Sequence, residues 1–271
     1  MPELPEVETT LRGISAYILN STVTRVHIRN PKLRWPVPSS LPDYLLQVQF
    51  SQIQRRAKYL LLSCNSGTLI IHLGMSGSLR IVPVSEAYDK HDHFELCFAN
   101  GKALRLKDPR RFGAVLWTTE AVDQHPLLQY LGPEPLSSDF NPDYLFKYSR
   151  GKKVSIKQFI MDSKVVVGIG NIYASEVLFA CGINPKRAAG RISKARYKKL
   201  CAASKKILCQ AIKQGGTTLK DFTGGDGKPG YFKQELLVYG RKNQACTQCG
   251  QKLKEIRLNN RSTVYCTQCQ K

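Results

Sequence analysis

No run of this chain approaches the ~18 apolar residues that a membrane-spanning helix needs, and its start lacks the basic and then hydrophobic pattern of a secretory signal. Acids are scarce: 20 Asp and Glu face 41 Lys and Arg, for a net charge of +21 and a pI near 9.7. There is no internal repeat and no low-complexity tract. These absences leave a basic protein of the cytosol or, in a compartmented cell, of the nucleus. At 271 residues, 42% of them hydrophobic, it is long enough for one large domain or two of ordinary size. So large a positive surplus repels itself and weakens the fold, so a polyanion is the expected partner.

The periodicity divides the chain. Leu4, Val7, Leu11, Ile14 and Ile18 recur at spacings of three and four, one face of a helix with Pro5 in its first turn and acids at its positive end. From about residue 22 the period becomes two: "VTRVHIR" and "LLQVQF" alternate, and "LLLSCNSGTLIIHL" and "FELCFANGKALRL" read as hairpins turning at Ser66-Gly67 and Asn100-Gly101. Short strands with such turns predict a β-sandwich or barrel reaching to about Trp117. Pro133, Pro135 and Pro142 then mark a linker without sustained pattern over 131–150. Helical patterns follow in "VSIKQFIM", "NIYASEVLFACG" and a long basic segment that Ser193 caps and Gly215-Gly216 ends. The basic residues of that last helix read either as a solvated face or as a phosphate-facing one. The glycine-rich "GGTTLKDFTGGDGKPGYF" suits a mobile loop, either a linker or a lid over a ligand. The expected class is α+β: an N-terminal domain over 1–130, the linker, a helical domain over 151–235 and a terminal module over 236–271.

Of nine cysteines, Cys64, Cys97, Cys181, Cys201 and Cys209 are scattered singly and read as small buried hydrophobes. The other four pair up. Cys246 and Cys249, then Cys266 and Cys269, have knuckle spacing with sixteen residues between the pairs. They supply four soft thiolates for one tetrahedral Zn²⁺, structural because no coordination position stays open. Between them "KEIRL" and "STVYC" flank Asn259-Asn260, so a hairpin is expected whose turn presents Arg261.

The opening "MPELPEVE" admits two readings. Pro and Glu start helices well, and that alone accounts for the segment. Removal of Met1, however, exposes the secondary amine of Pro2, and an α-amino group with pKa near 8 is roughly a tenth unprotonated at neutral pH, far more than any ordinary lysine. Such an amine attacks an aldehyde-like carbon and yields a cationic iminium, an electron sink. Glu3 stands next to it for proton transfer, and Glu6 one turn further on is an accessory acid.

"PELPEVE", "RRAKYL", "HLGMSG", "DPRRFG", "GIGNIYASE", "DGKPGYF" and the four-cysteine finger, in this order along almost the whole chain, resemble the motifs of the formamidopyrimidine-DNA glycosylase family. The resemblance implies a helix and β-sandwich domain, a helix-two-turns-helix module and a zinc finger. It implies a bifunctional glycosylase and lyase that removes oxidised purines from double-stranded DNA, working as a monomer in the bacterial cytoplasm. It also implies roles. Pro2 is the nucleophile at C1′, Glu3 the acid that opens the sugar, Lys58 a phosphate ligand assisting β-elimination, and Arg261 the phosphate holder in δ-elimination. Asn171 meets the same backbone, and His91 and Lys152 contact DNA. Met75, Arg110 and Phe112 fill the gap left by a flipped nucleotide. One departure is Ala57, where the family commonly has glycine. Two alternatives stand beside this reading: an endonuclease VIII-like enzyme for oxidised pyrimidines, and a non-catalytic zinc-ribbon DNA-binding protein.

Overall fold

The computed structural model describes residues 2–215 and 236–271; most of the glycine-rich stretch, and with it the lid reading, lies outside the described residues. Two compact units emerge, one built on the residues up to Gln129 and the other on Tyr130–Ala211 with the C-terminal residues. Among the described residues no helix is long and apolar enough to cross a membrane.

In the N-terminal unit, α1 (Leu4–Ile18) buries Leu4, Val7, Ile14 and Ile18, the face its spacing predicts. Its start is a reciprocal capping box: the Glu3 carboxylate accepts from the Glu6 N–H, and Glu6 Oε2 accepts from the Glu3 N–H at 2.8 Å. Two four-stranded antiparallel sheets follow. One has the order β1 (Val23–Ile28), β6 (Asp92–Phe98), β7 (Lys102–Lys107), β5 (Ser78–Pro83); the other runs β2 (Gln52–Arg56), β3 (Tyr59–Cys64), β4 (Gly67–His72), β8 (Ala114–Thr118). Register keeps like with like: Leu60 faces Ile71 and Leu62 faces Leu69 across β3 and β4, and Leu96 faces Leu104 across β6 and β7. All six are fully buried in one core with Phe94, Leu106 and α1, each worth about 1.5–3 kcal/mol against exposure.

Two details differ from the sequence expectation. The first hairpin turns at Asn65-Ser66, and Gly67 already pairs with Cys64. "LLQVQF" is not a strand. Leu41–Leu45 forms a short helix, α2, with Pro42 in its first turn and Leu41 and Leu45 buried four residues apart. Gln47 then reverses the chain with a φ of 62°, which leaves Gln49 and Phe50 only isolated bridges to Thr22 and Leu19.

The C-terminal unit is helical: α3 (Pro142–Ser149), α4 (Ile156–Met161), α5 (Asn171–Ala180) and α6 (Lys194–Lys213). The helix α3 lies inside the expected linker. Asn141 caps it, its Oδ1 accepting from the Tyr144 N–H at 2.9 Å, and Pro142 opens a helix there instead of interrupting one. Ser193 caps α6 as expected, accepting from the Arg196 N–H, and Gly215 follows the helix with a φ of 81°. The last element is the hairpin β9 (Lys254–Leu258) and β10 (Arg261–Tyr265). Asn259 and Asn260 both take positive φ, 48° and 59°, as a two-residue hairpin turn with right-handed strand twist requires.

Candidate functional site

In the N-terminal unit the start of α1 is buried through Pro2, Glu3 and Glu6. From α1, Glu8 reaches Arg55 on β2 (Oε2 to Nε, 2.9 Å), and Arg55 in turn donates to the Ala57 carbonyl at 2.9 Å. That clamp fixes the two-residue turn carrying Lys58 relative to the first helix. Ala57 sits in this turn with a φ of 56°, a left-handed conformation that costs a non-glycine residue about 1–2 kcal/mol; glycine would suit it better.

Beside the turn is His72, which the sequence reading passed over. Burial, then the charges of Lys58 and Arg34, push its pKa down to about 4. The neutral ring accepts the Gly74 N–H on Nδ1 at 3.0 Å, and Tyr59 packs on it at 4.8 Å. The unfolded histidine titrates near 6.5, so between pH 6.5 and 4 the unfolded chain binds more protons and stability falls as pH falls, by up to about 3 kcal/mol. Denaturant unfolding at a series of pH values should show this loss. His72→Gln, which keeps an acceptor and does not titrate, should flatten the slope; an unchanged slope would contradict the assignment.

Met75 and the pair Arg110 and Phe112 lie 35 or more residues apart in sequence, yet one buried carboxylate joins their loops. Asp108 accepts the Ser76 hydroxyl at 3.0 Å on one oxygen and the Gly113 N–H at 2.7 Å on the other, while Ser76 Oγ accepts the Arg110 N–H at 3.3 Å. Gly74, with a φ of 63°, lies so close that a Cβ there would meet the Phe112 carbonyl carbon at 2.4 Å. The His91 carbonyl accepts the Asp108 N–H at 3.0 Å, which brings His91 to the same rim. The result is an exposed triad: Met75 at 39% and Phe112 at 42% exposure, with the Arg110 guanidinium 4.9 Å over the Phe112 ring. Two large apolar side chains held out in water by a buried network suit a surface that meets something. Asp108→Ala would leave the Ser76 hydroxyl and Gly113 N–H without their acceptor and should destabilise this unit by about 2–4 kcal/mol, readable as a lowered denaturation midpoint.

In the C-terminal unit, Asn171 opens α5 and its side-chain amide donates to the Ser262 carbonyl at 3.1 Å. Lys157, fully buried on α4, donates to Thr263 Oγ1 at 2.9 Å and to that same carbonyl at 3.4 Å. Two helices thus hold the strand on which Arg261, exposed at the hairpin turn, is the first residue. A cleft of about 460 Å³ collects Lys152, Lys157, Asn259 and Arg261 beside Tyr148. Lys157 was not a sequence candidate, and neither was Glu176, whose buried carboxylate accepts the N–H groups of Leu237, Val238 and Tyr239 at 2.8–3.0 Å.

The four cysteines converge, their sulfurs all within 4.8 Å of one another. Cys246 to Cys269 is 3.9 Å and Cys249 to Cys266 is 3.5 Å, against about 3.8 Å between ligands of a tetrahedron with Zn–S bonds of about 2.3 Å. Backbone N–H groups of Gln248 and Cys269 point at the sulfurs of Cys246 and Cys266 at 3.4 Å, as donors that stabilise thiolate. The donor set and spacing fit a structural zinc ion. Cys246 and Cys266 also belong to a core with Phe179, Val238, Leu253 and Val264, so the metal site and the packing of α5 are one structure.

Comparison with known proteins agrees along the chain. Residues 1–115 match the formamidopyrimidine-DNA glycosylase N-terminal domain, residues 131–223 the H2TH domain of that glycosylase, and residues 243–271 a zinc finger found in FPG and IleRS. The chain is 56% identical to the formamidopyrimidine-DNA glycosylase of Stutzerimonas stutzeri and 58% identical to that of Marinomonas sp., covering 100% of both partners in each pair. It is similar to the crystal structure of the MutM (Fpg) protein of Thermus thermophilus, with a TM-score of 0.89 at 33% identity over 99% of this chain and 98% of that one. A complex between wild-type Lactococcus lactis Fpg and N7-benzyl-Fapy-dG containing DNA gives a TM-score of 0.91 at 31% identity, over 99% of each chain.

Proposed function

This chain belongs to the formamidopyrimidine-DNA glycosylase family, and on that premise we propose that Pro2, freed of Met1, is the nucleophile that excises the damaged base. The protein is a DNA glycosylase of base excision repair, with the lyase activity at abasic sites that is typical of the family. The observation that carries the assignment is the buried start of α1: Pro2 is held directly before Glu3, whose own N–H is fixed by Glu6.

The chemistry follows from a secondary amine. The Pro2 nitrogen forms a bond to C1′ as the bond to the base breaks; the electron pair leaves with the base, which takes a proton. Glu3 protonates the ring oxygen, the sugar opens, and a cationic iminium joins C1′ to Pro2. Loss of the C2′ proton sends its electron pair into the iminium to give an enamine, which returns the pair to form C2′=C3′ as the 3′ C–O bond breaks and the phosphate leaves; a second elimination along the conjugated iminium releases the 5′ phosphate. Lys58 and Arg261 stabilise the departing phosphates as cations, with Asn171, Lys152 and His91 on the backbone. Met75, Arg110 and Phe112 replace the flipped nucleotide in the stack. Glu6 acts through the position of Glu3. In this division of labour residues 1–130 carry the reaction, and the helical part with the 236–271 finger holds the backbone. The zinc ion, held by Cys246, Cys249, Cys266 and Cys269, supplies rigidity to the Arg261 hairpin and takes no part in proton or electron transfer.

The substrates proposed are 8-oxoguanine and formamidopyrimidines in duplex DNA, and the working form a monomer in the bacterial cytoplasm. Single-turnover excision compared between 8-oxoguanine and thymine glycol duplexes tests the specificity. Faster release of the purine is expected; faster release of thymine glycol would favour the oxidised-pyrimidine alternative, and no strand cleavage on either would favour a binding protein. Asp108→Ala should slow excision from a duplex by on the order of tenfold to a hundredfold, the scale of a misplaced contact, with less effect on a preformed abasic site.

A further inference from the structure

The positive surplus of this chain is not spread evenly. Residues 177–215 contain ten Lys and Arg (Lys186, Arg187, Arg191, Lys194, Arg196, Lys198, Lys199, Lys205, Lys206, Lys213) and no Asp or Glu. None of the ten belongs to the residues assigned above to the reaction. Lys186, Arg187, Arg191, Lys194, Lys198 and Lys199 are exposed, and of these only Lys194 has an ion pair among the described residues, with Asp143. An open cleft of about 510 Å³ beside α6 is lined by Lys186, Arg187, Arg191 and Lys271 with Asn184 and Ala188, with no Asp or Glu in its wall. Arg196 donates to a main-chain oxygen of Lys271 at 3.0 Å, which joins the cleft to the first turn of α6.

This face and the Arg261 hairpin turn occupy opposite ends of the zinc module. Arg261 begins β10 and Tyr265 ends it, four steps or about 13 Å along a strand. Lys186 lies 5.6 Å over the Tyr265 ring at the knuckle end, and the Lys271 N–H donates to the Gly182 carbonyl at 3.1 Å beside it. The two clefts share no residue. We propose that the face formed by the 184–191 turn and the first half of α6 is a second, sequence-independent binding surface for the phosphate backbone of duplex DNA, so that one molecule holds a second duplex while the first occupies the reaction site. Exposed cations that outnumber the acids beside them, with Asp143 on Lys194 as the one ion pair among the described residues, are the arrangement that phosphate neutralisation and counterion release reward, and they give no means of reading base edges. This inference rests on the reading that the other face holds the damaged duplex.

The test uses the full zinc-loaded chain. Its reaction site is filled with a short duplex bearing an uncleavable abasic analogue, and an undamaged duplex with a second dye is added in two-colour sedimentation. Both dyes should travel with one protein at low salt, and the second should be lost between roughly 50 and 200 mM salt. A variant combining Lys186→Gln, Arg187→Gln, Arg191→Gln, Lys198→Gln and Lys199→Gln should bind the second duplex about tenfold or more weakly and excise a damaged base at the normal single-turnover rate. Only one duplex per protein, or undiminished second binding by the variant, overturns the proposal. So does displacement of the second duplex by polyglutamate at its own charge concentration, which would mark a generic polyanion surface. If the abasic duplex itself is not held, the repair reading fails; titration of the undamaged duplex into wild type and variant still decides on the basic face, by the presence or absence of the same tenfold loss.

Discussion

A chain that keeps Met1, verified by intact mass, should bind an abasic duplex and remove no base. Retention turns the Pro2 nitrogen into a tertiary amide whose lone pair is delocalised into the carbonyl, so the rate should fall by on the order of 10⁴-fold or more, the scale on which loss of a nucleophile acts. Pro2→Gly, correctly processed, is the contrasting case. It keeps a free α-amine next to Glu3, yet loses the ring that fixes φ and gives an imine that is no longer cationic at every pH. Excision and borohydride trapping should slow by about tenfold or more and persist. Binding should survive both changes better than turnover, because neither removes a cation. Normal excision by a chain shown to retain Met1 would mean another nucleophile, with Lys58 the first suspect.

Removal of zinc should have the second largest effect. Metal binding contributes about 10–16 kcal/mol in isolated finger peptides, comparable with or larger than the ~5–15 kcal/mol that holds a whole domain, so the apo hairpin should not keep its shape. Arg261 then loses its platform, and DNA binding and strand cleavage should both disappear. Because Cys246 and Cys266 share a core with Phe179 and Val238, the loss should spread into the packing of α5. The N-terminal unit, whose core contains none of the four cysteines, should keep its unfolding transition. Chelation followed by metal analysis, DNA titration and denaturant unfolding checks each part; full affinity in verified zinc-free protein would contradict it.

The elements that local pattern could reveal were legible in the sequence. The apolar spacing of α1, the alternation of β6 and β7 around Asn100-Gly101, the Asn259-Asn260 turn and the paired cysteines each act within a few residues of themselves. Local pattern also misled in two places. Pro142 reads as a linker residue until Asn141 is seen to cap the helix it begins, and the alternation of "LLQVQF" conceals that its first residue, Leu45, ends a turn of helix begun at Leu41. The residues that assemble the site escaped for another reason. Asp108 meets Ser76 from 32 positions away, Glu176 meets Leu237 from 61, and Lys157 meets Thr263 from 106. A buried charge among polar neighbours has no period, and its partners are set only by the folded chain. Burial shows the need for such partners; sequence spacing does not supply their names.

The proposed function depends on attack at the sugar by the α-amine of Pro2 and by no lysine. Borohydride reduction of the iminium during reaction on an 8-oxoguanine duplex, followed by digestion of the adduct and tandem mass spectrometry, locates the sugar remnant. The remnant is expected on the nitrogen of an N-terminal Pro2 in a peptide that has lost Met1. A remnant on the Lys58 peptide, or a trapped chain that still begins with Met1, would contradict it.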